Sequence, residues 1–185
     1  MRRPTGILGV IALALGAGVA AQDEKKPKAQ PAVVKDRVKG SINHGRGQDE
    51  WGRIAGKVKV LDANTLEYTD GTRIKLGMVV PEPDQQGLID GKFYPCGKDA
   101  AEFLRKLIGD HAVVCLLQDD NSVLSAYVGN TNIEHVMVTN GWALANHSSL
   151  HGAEIIAREN KRGLWRGQFV TPKEWRAGKR LPGEK

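Results

Sequence analysis

Between residues 54 and 78 apolar and polar side chains alternate in three short runs, a pattern that suits half-buried strands and does not suit a helix. Ile54, Val58 and Val60 mark the first run, Thr65, Leu66 and Tyr68 the second, and Ile74, Leu76 and Met78 the third. Asp70-Gly71 between the last two is a hairpin signal, because glycine accepts the positive φ of a tight two-residue turn. Residues 81–97 hold three prolines and three glycines and read as a long loop. Ala100, Phe103, Leu104, Leu107 and Ile108 then recur at the helical period, and Gly109 supplies a stop. Residues 111–117 and 123–128 read as two further strands around a turn at 119–122. One short helix is expected after a cap at Asn132 or Thr131, burying Ile133, Val136 and Met137 and ending at Gly141. A last helix over about 150–162 is expected to bury Ile155, Ile156 and Ala157 and to stop at Gly163.

The pattern therefore predicts a mainly β protein with helices (α+β): five strands, a helix between the third and fourth, and two C-terminal helices. That is the element order of a five-stranded OB-type barrel, a fold that commonly binds oligonucleotides and oligosaccharides.

Residues 1–21 have the layout of a secretory signal peptide, with Arg2 and Arg3, an apolar run to Val19 and a small-residue end at Ala20-Ala21. Gly9, Gly16 and Gly18 interrupt a run, Ile7 to Val19, shorter than the ~20 apolar residues of a membrane span. A secreted or periplasmic chain with no span after cleavage is expected. Residues 22–52, rich in Lys, Pro, Gln and Gly, read as a flexible linker, residues 53–180 as one folded domain, and 181–185 as a tail. The chain carries +6, and without Arg2 and Arg3 the balance of 25 basic against 21 acidic residues leaves +4. Such an excess permits phosphate binding without requiring it. Cys96 and Cys115 are the only cysteines. In an oxidising compartment they favour one disulfide; two isolated thiols are the alternative, and a redox pair is disfavoured by their wide spacing.

Short motifs resemble the staphylococcal-nuclease (thermonuclease-like) family from about Ile54 to Arg180. Asp62-Ala63-Asn64-Thr65 stands where the family has Asp-Gly-Asp-Thr. Lys75-Leu76 with Gly77-Met78-Val79-Val80-Pro81-Glu82 stands for its Arg-Leu and Gly-Ile-Asp-x-Pro-Glu, with one residue fewer between the pieces. Cys96-Gly97 with Cys115, then Gly141-Trp142-Ala143, Glu154 to Arg158, Gly163-Leu164-Trp165 and Pro172 to Arg176, resemble its exported branch. These later motifs bear on the fold more than on chemistry.

The resemblance implies calcium-dependent phosphodiester hydrolysis, and the residues that would perform it are mostly replaced. Of the two family metal ligands, one corresponds to Asn64, which brings no charge, and the other to Val79, which has no donor. Asp62 remains as a lone turn carboxylate. The first family arginine corresponds to Lys75, which lacks the planar two-pronged fork; the second corresponds to Val123. An arginine of that kind is worth ~10³ to 10⁵ in phosphoryl-transfer rate. Glu82 matches the family glutamate, and Arg73 shares a strand face with Lys75 as a substitute cation. The expected function is binding of single-stranded DNA or RNA, another polyanion or a protein, by a catalytically impaired nuclease fold. A weak or altered metal-dependent nuclease, with Ca²⁺ as cofactor only in that case, is the alternative. His147 and His151 are four apart, but no carboxylate or cysteine completes a zinc set with them, and His44, His111 and His135 have no evident partners.

Overall fold

The computed structural model describes residues 52–184 except 119 and 121; the expected signal peptide and almost all of the linker lie outside the described residues. The chain is a mixed α+β protein. Its strands are β1 (Arg53–Gly56), β2 (Val58–Val60), β3 (Thr65–Tyr68), β4 (Arg73–Lys75), β5 (Gly87–Ile89), β6 (Lys92–Tyr94), β7 (Val113–Leu117), β8 (Val123–Val128), β9 (Thr131–Asn132) and β10 (Gln168–Phe169). Four α-helices occur among the described residues: α1 (Cys96–Ile108) before β7, then α2 (Ile133–Thr139), α3 (His151–Glu159) and α4 (Pro172–Arg176). The strands pair antiparallel in three sheets, β2-β3-β4, β1-β7-β8-β9 and β10-β5-β6.

Alternation sets the inner faces. Leu66 and Tyr68 of β3, Ile74 of β4, Val113 and Cys115 of β7 and Ala126 and Val128 of β8 are buried in one core. The first expected strand is split at Lys57, so that β1 joins β7 while β2 joins β3. The Tyr68 hydroxyl ties the two sheets together, lying 3.3 Å from both Val113 O and Cys115 Sγ. The β3–β4 turn holds one residue more than the expected two. Gly71, at φ 85°, donates to Tyr68 O at 2.9 Å, and Asp70 Oδ1 accepts from Thr72 N at 2.9 Å.

Helix α1 lays Ala100, Ala101, Leu104 and Ile108 on the core, with Phe103 and Leu107 half-buried beside it. Helix α2 starts on Asn132, whose side chain accepts from His135 N. In α3 the expected burial of Ile155 and Ile156 is not found: they are 53% and 44% exposed. Leu150, Ala153 and Ala157 form the stripe that faces the core, with Ile155 on the opposite face and Ile156 beside the stripe.

The expected long loop contains the β5–β6 hairpin, turned by Asp90 and Gly91 at φ 49° and 75°. The C-terminal segment also folds back. Phe169 pairs with Gly87, Gln85 Nε2 donates to Val170 O at 2.6 Å, and Glu184 accepts from Gln86 N, Trp175 Nε1 and Leu181 N. The expected tail residues 181–184 thus take part in the domain.

Gly141 and Gly163 explain the Gly-Trp and Gly-Leu-Trp motifs. Both have positive φ, and a Cβ on Gly163 would lie 2.4 Å from Gly141 O. Leu164 N donates to that same oxygen at 2.9 Å, joining the end of α3 to the end of α2.

Candidate functional site

The residues expected to hold metal and phosphate fall into two groups. Pairing of β3 with β4 brings Asp62, Asn64 and Lys75 into one neighbourhood, since Thr65 lies opposite Lys75. Asp62 Oδ1 accepts from Asn64 N at 2.9 Å and Thr65 N at 2.7 Å, the bonding of a turn-forming aspartate. Asn64 is 8% exposed; its Nδ2 donates to Met78 O at 3.2 Å and its carbonyl accepts from Leu76 N at 2.7 Å. It clasps the turn to the segment after β4. Val79 is half-buried and its carbonyl accepts from Leu144 N at 2.8 Å. With Asn64 committed to Met78, Asp62 to its turn, and an isopropyl group at Val79, this donor set does not fit a calcium ion. Among the described residues no group of three or more His, Cys, Asp or Glu gathers to hold a metal ion.

Glu82 points elsewhere. Its Oε1 accepts from the Arg176 guanidinium at 2.6 Å, so the carboxylate anchors α4. Gln85, completely buried, fixes this loop: its Oε1 accepts from Glu82 N at 3.2 Å and its N donates to Glu82 O at 2.9 Å. A Cβ on Gly97 would stand 1.8 Å from Glu82 O, so glycine is required where the loop crosses the start of α1. Gln85 left no periodic signal in the sequence because it lies in a loop.

Arg73, Ile74 and Lys75 alternate out, in and out on β4. Arg73 Nε reaches Glu67 at 2.9 Å across the β3–β4 pair, and Lys59 lies opposite Glu67 on its other side. Lys57, Lys59 and Glu67 line one shallow groove of about 370 Å³ with Gly71 and Thr69. The outward side of this sheet thus carries Lys57, Lys59, Arg73 and Lys75 against the single carboxylate of Glu67.

Val123 lies at the start of β8, where its carbonyl would be 3.6 Å from a Cβ on Gly77, two residues past Lys75. It also lines a cavity of about 620 Å³ together with Leu124, Glu134, His135, Asn146 and His147. Glu134 is 7% exposed and its Oε2 accepts from Ala126 N at 3.2 Å. Burial pushes its carboxyl above the ordinary range, against the Ala126 and Glu134 amides and the His147 charge, which pull it down. The sequence signal for Glu134 was its position: 133, 134, 137 and 138 form the stripe of α2 that turns inward. His147 precedes the 3₁₀ turn Ser148–Leu150 in extended conformation, whereas His151 begins α3, so the two do not share a helix face.

The expected Cys96–Cys115 disulfide is not formed. Both are buried free thiols with separate partners: Cys96 Sγ donates to Gln85 O at 3.2 Å at the start of α1, while Cys115 in the middle of β7 receives the Tyr68 hydroxyl. Burial first, then the Glu184 and Asp99 charges, push the Cys96 thiol up to about 12; burial pushes Cys115 up to about 11, against the Tyr68 hydrogen bond that lowers it. Thiols held protonated in this way are poor nucleophiles, which argues against redox chemistry.

No described helix is long and apolar enough to cross a membrane. In comparisons with known proteins, no family model and no curated protein matches the chain.

Proposed function

We propose that this chain is an exported, thermonuclease-like module that holds single-stranded nucleic acid or a comparable polyanion without cutting it. The OB-type reading is supported by the path of β1 and β2 through two sheets around Lys57, by α1 between β4 and β7 in chain order, and by the approach of Gly77 to Val123. The observation that carries the functional reading is the outer side of β2-β3-β4, where Lys57, Lys59, Arg73 and Lys75 face one carboxylate. In OB-type barrels the second and third strands commonly contribute the oligonucleotide face, and here those strands are β3 and β4.

Charge without catalysis follows from the site residues. Val123 stabilises no transition-state charge, Val79 supplies no ligand, and Glu82 is engaged with Arg176. The aromatic of this sheet, Tyr68, is buried, so bases have no stacking platform there and binding is carried by phosphates. With Arg73 shared with Glu67, about three phosphates are neutralised, so log affinity for single strands should fall with log salt at a slope of about −2.

The test is incubation of mature protein with labelled single-stranded DNA and RNA, in calcium and in chelator, reading strand length and mobility together. A mobility shift of intact strands in both conditions, weakened by Lys59→Glu and Lys75→Glu, is expected. Calcium-dependent shortening that is lost in Glu82→Gln would replace this reading with an altered nuclease. No shift in either condition would redirect the search to protein partners.

A further inference from the structure

The cavity beside β8 has the opposite chemistry to the sheet face. No lysine or arginine lines it. Glu134 is more than nine-tenths buried, yet Ala126 N is the only hydrogen-bond donor from another described residue that reaches its carboxylate, at Oε2. No other described residue donates to its Oε1, and Glu134 lines the cavity. Asn146 commits its Nδ2 to Gly77 O, which leaves its amide oxygen as a second acceptor at the same wall. Leu124 is 61% exposed and, with Val123, gives the cavity an apolar side.

We infer that this cavity binds an organic cation, an alkylammonium or alkylguanidinium group, whose charged head bonds Glu134 Oε1 and Asn146 Oδ1 while its alkyl stem lies against Leu124 and Val123. A buried carboxylate with one unmet oxygen gains most from a partner that brings both a donor and a positive charge. A phosphate or carboxylate would meet Glu134 with like charge, and the cavity offers only the imidazoles of His135 and His147, with no arginine or lysine, to offset it. The proposal is independent of the polyanion reading, which rests on the β2-β3-β4 face.

Two sources share this chemistry: a free small amine, and a lysine or arginine side chain of a partner protein. Calorimetry and ¹⁵N amide shifts of the purified chain with n-butylguanidinium and n-butylammonium test the site, with n-butyl phosphate as the opposite charge. Saturable binding of the cations that shifts the Ala126 amide, and no binding of the phosphate, is expected. Glu134→Gln keeps an oxygen for Ala126 N and should bind the cations roughly tenfold or more weakly, as for loss of one charge-assisted hydrogen bond. His147→Lys, at an exposed loop position, places a cation at the cavity and should abolish binding, which keeps the test valid if Glu134→Gln does not fold. An alanine peptide with one central arginine binding tighter than n-butylguanidinium assigns the site to a partner side chain; equal or weaker binding assigns it to a free amine. Absence of saturable cation binding, equal uptake of n-butyl phosphate, or affinity unchanged in the folded variants would overturn the assignment.

Discussion

Replacing Asn64 with aspartate would restore the side chain that the resemblance implies for metal binding, and the structure predicts that it harms the protein. Asn64 is 8% exposed and its Nδ2 donates to Met78 O at 3.2 Å. An ionised carboxylate there sets an oxygen against that carbonyl and removes the donor, leaving a buried acceptor unpaired at a cost of about 1–3 kcal/mol. At about 4 °C per kcal/mol for a domain of this size, Asn64→Asp should melt about 4–12 °C below the parent chain at neutral pH in chelator. The new carboxyl has its folded pKa raised by burial, so the deficit should shrink as pH falls toward 4 and a protonated oxygen can again donate to Met78. Excess calcium should not restore the melting temperature, because Val79 supplies no second ligand and Asp62 Oδ1 is held by Asn64 N and Thr65 N. Melts followed by near-ultraviolet circular dichroism, with and without calcium at two pH values, test each step. A variant as stable as the parent in chelator would refute the role of Asn64 as a clasp, and a calcium-dependent rise would refute the misfit of the donor set.

Gly163→Ala places a Cβ 2.4 Å from Gly141 O at a positive φ, and should destabilise by roughly 2–4 kcal/mol in chemical denaturation; a loss under ~0.5 kcal/mol would show that α2 and α3 separate without cost. Cys96 and Cys115 should not react with an aromatic disulfide reagent in the folded chain and should both react after unfolding, while a reductant leaves the melting temperature unchanged. A drop of several degrees with reductant would mean that the two are bridged in the purified protein. Glu174 clasps α4 by accepting from Thr171 N and Oγ1 and pairing with Lys179, and this clasp should open in acid. Lys179 and then Thr171 hold the Glu174 carboxyl down from 4.5 to about 2, so its contribution is full above the unfolded value and is lost as pH falls from about 4.5 to about 2. Glu184 acts in the same direction: burial opposes its ionisation, but bonds from Leu181, Trp175 and Gln86 outweigh that cost. Amide signals of α4 that hold their native positions through that window would contradict the clasp.

Elements that repeat a period were legible in the sequence, and elements defined by a single turn or a distant partner were not. Helix α1 carries five apolar residues at helical spacing, and β3, β4, β7 and β8 alternate, so each announced its buried face. The β5–β6 hairpin has three-residue strands, too short for alternation to register, and its one signal, Asp90-Gly91, was masked by neighbouring prolines. In α3 the apolar content misled: the isoleucines are the larger residues, yet the helical period puts the alanines on the buried stripe and the isoleucines off it. The chemistry of Asn64, Val79 and Val123 against the resembled pattern was readable, but the role of Glu82 was not. Its partner Arg176 is 94 positions away, and local pattern holds no information about such a pair.

The two surfaces that remain after catalysis is set aside differ in charge sign and in burial, and this makes them separable in one experiment. Lys59, Arg73 and Lys75 are exposed, so a polyanion held by them should dissociate as salt rises and counterions compete. Glu134 is 7% exposed, so a cation that bonds its carboxylate should lose less affinity over the same range. If both ligands respond to salt equally, one of the two surfaces has been misassigned. If they diverge, the scaffold holds an anion on an open sheet and a cation in a pocket. In that case Glu134, at a wall with no lysine or arginine, is the acidic charge that selects what enters.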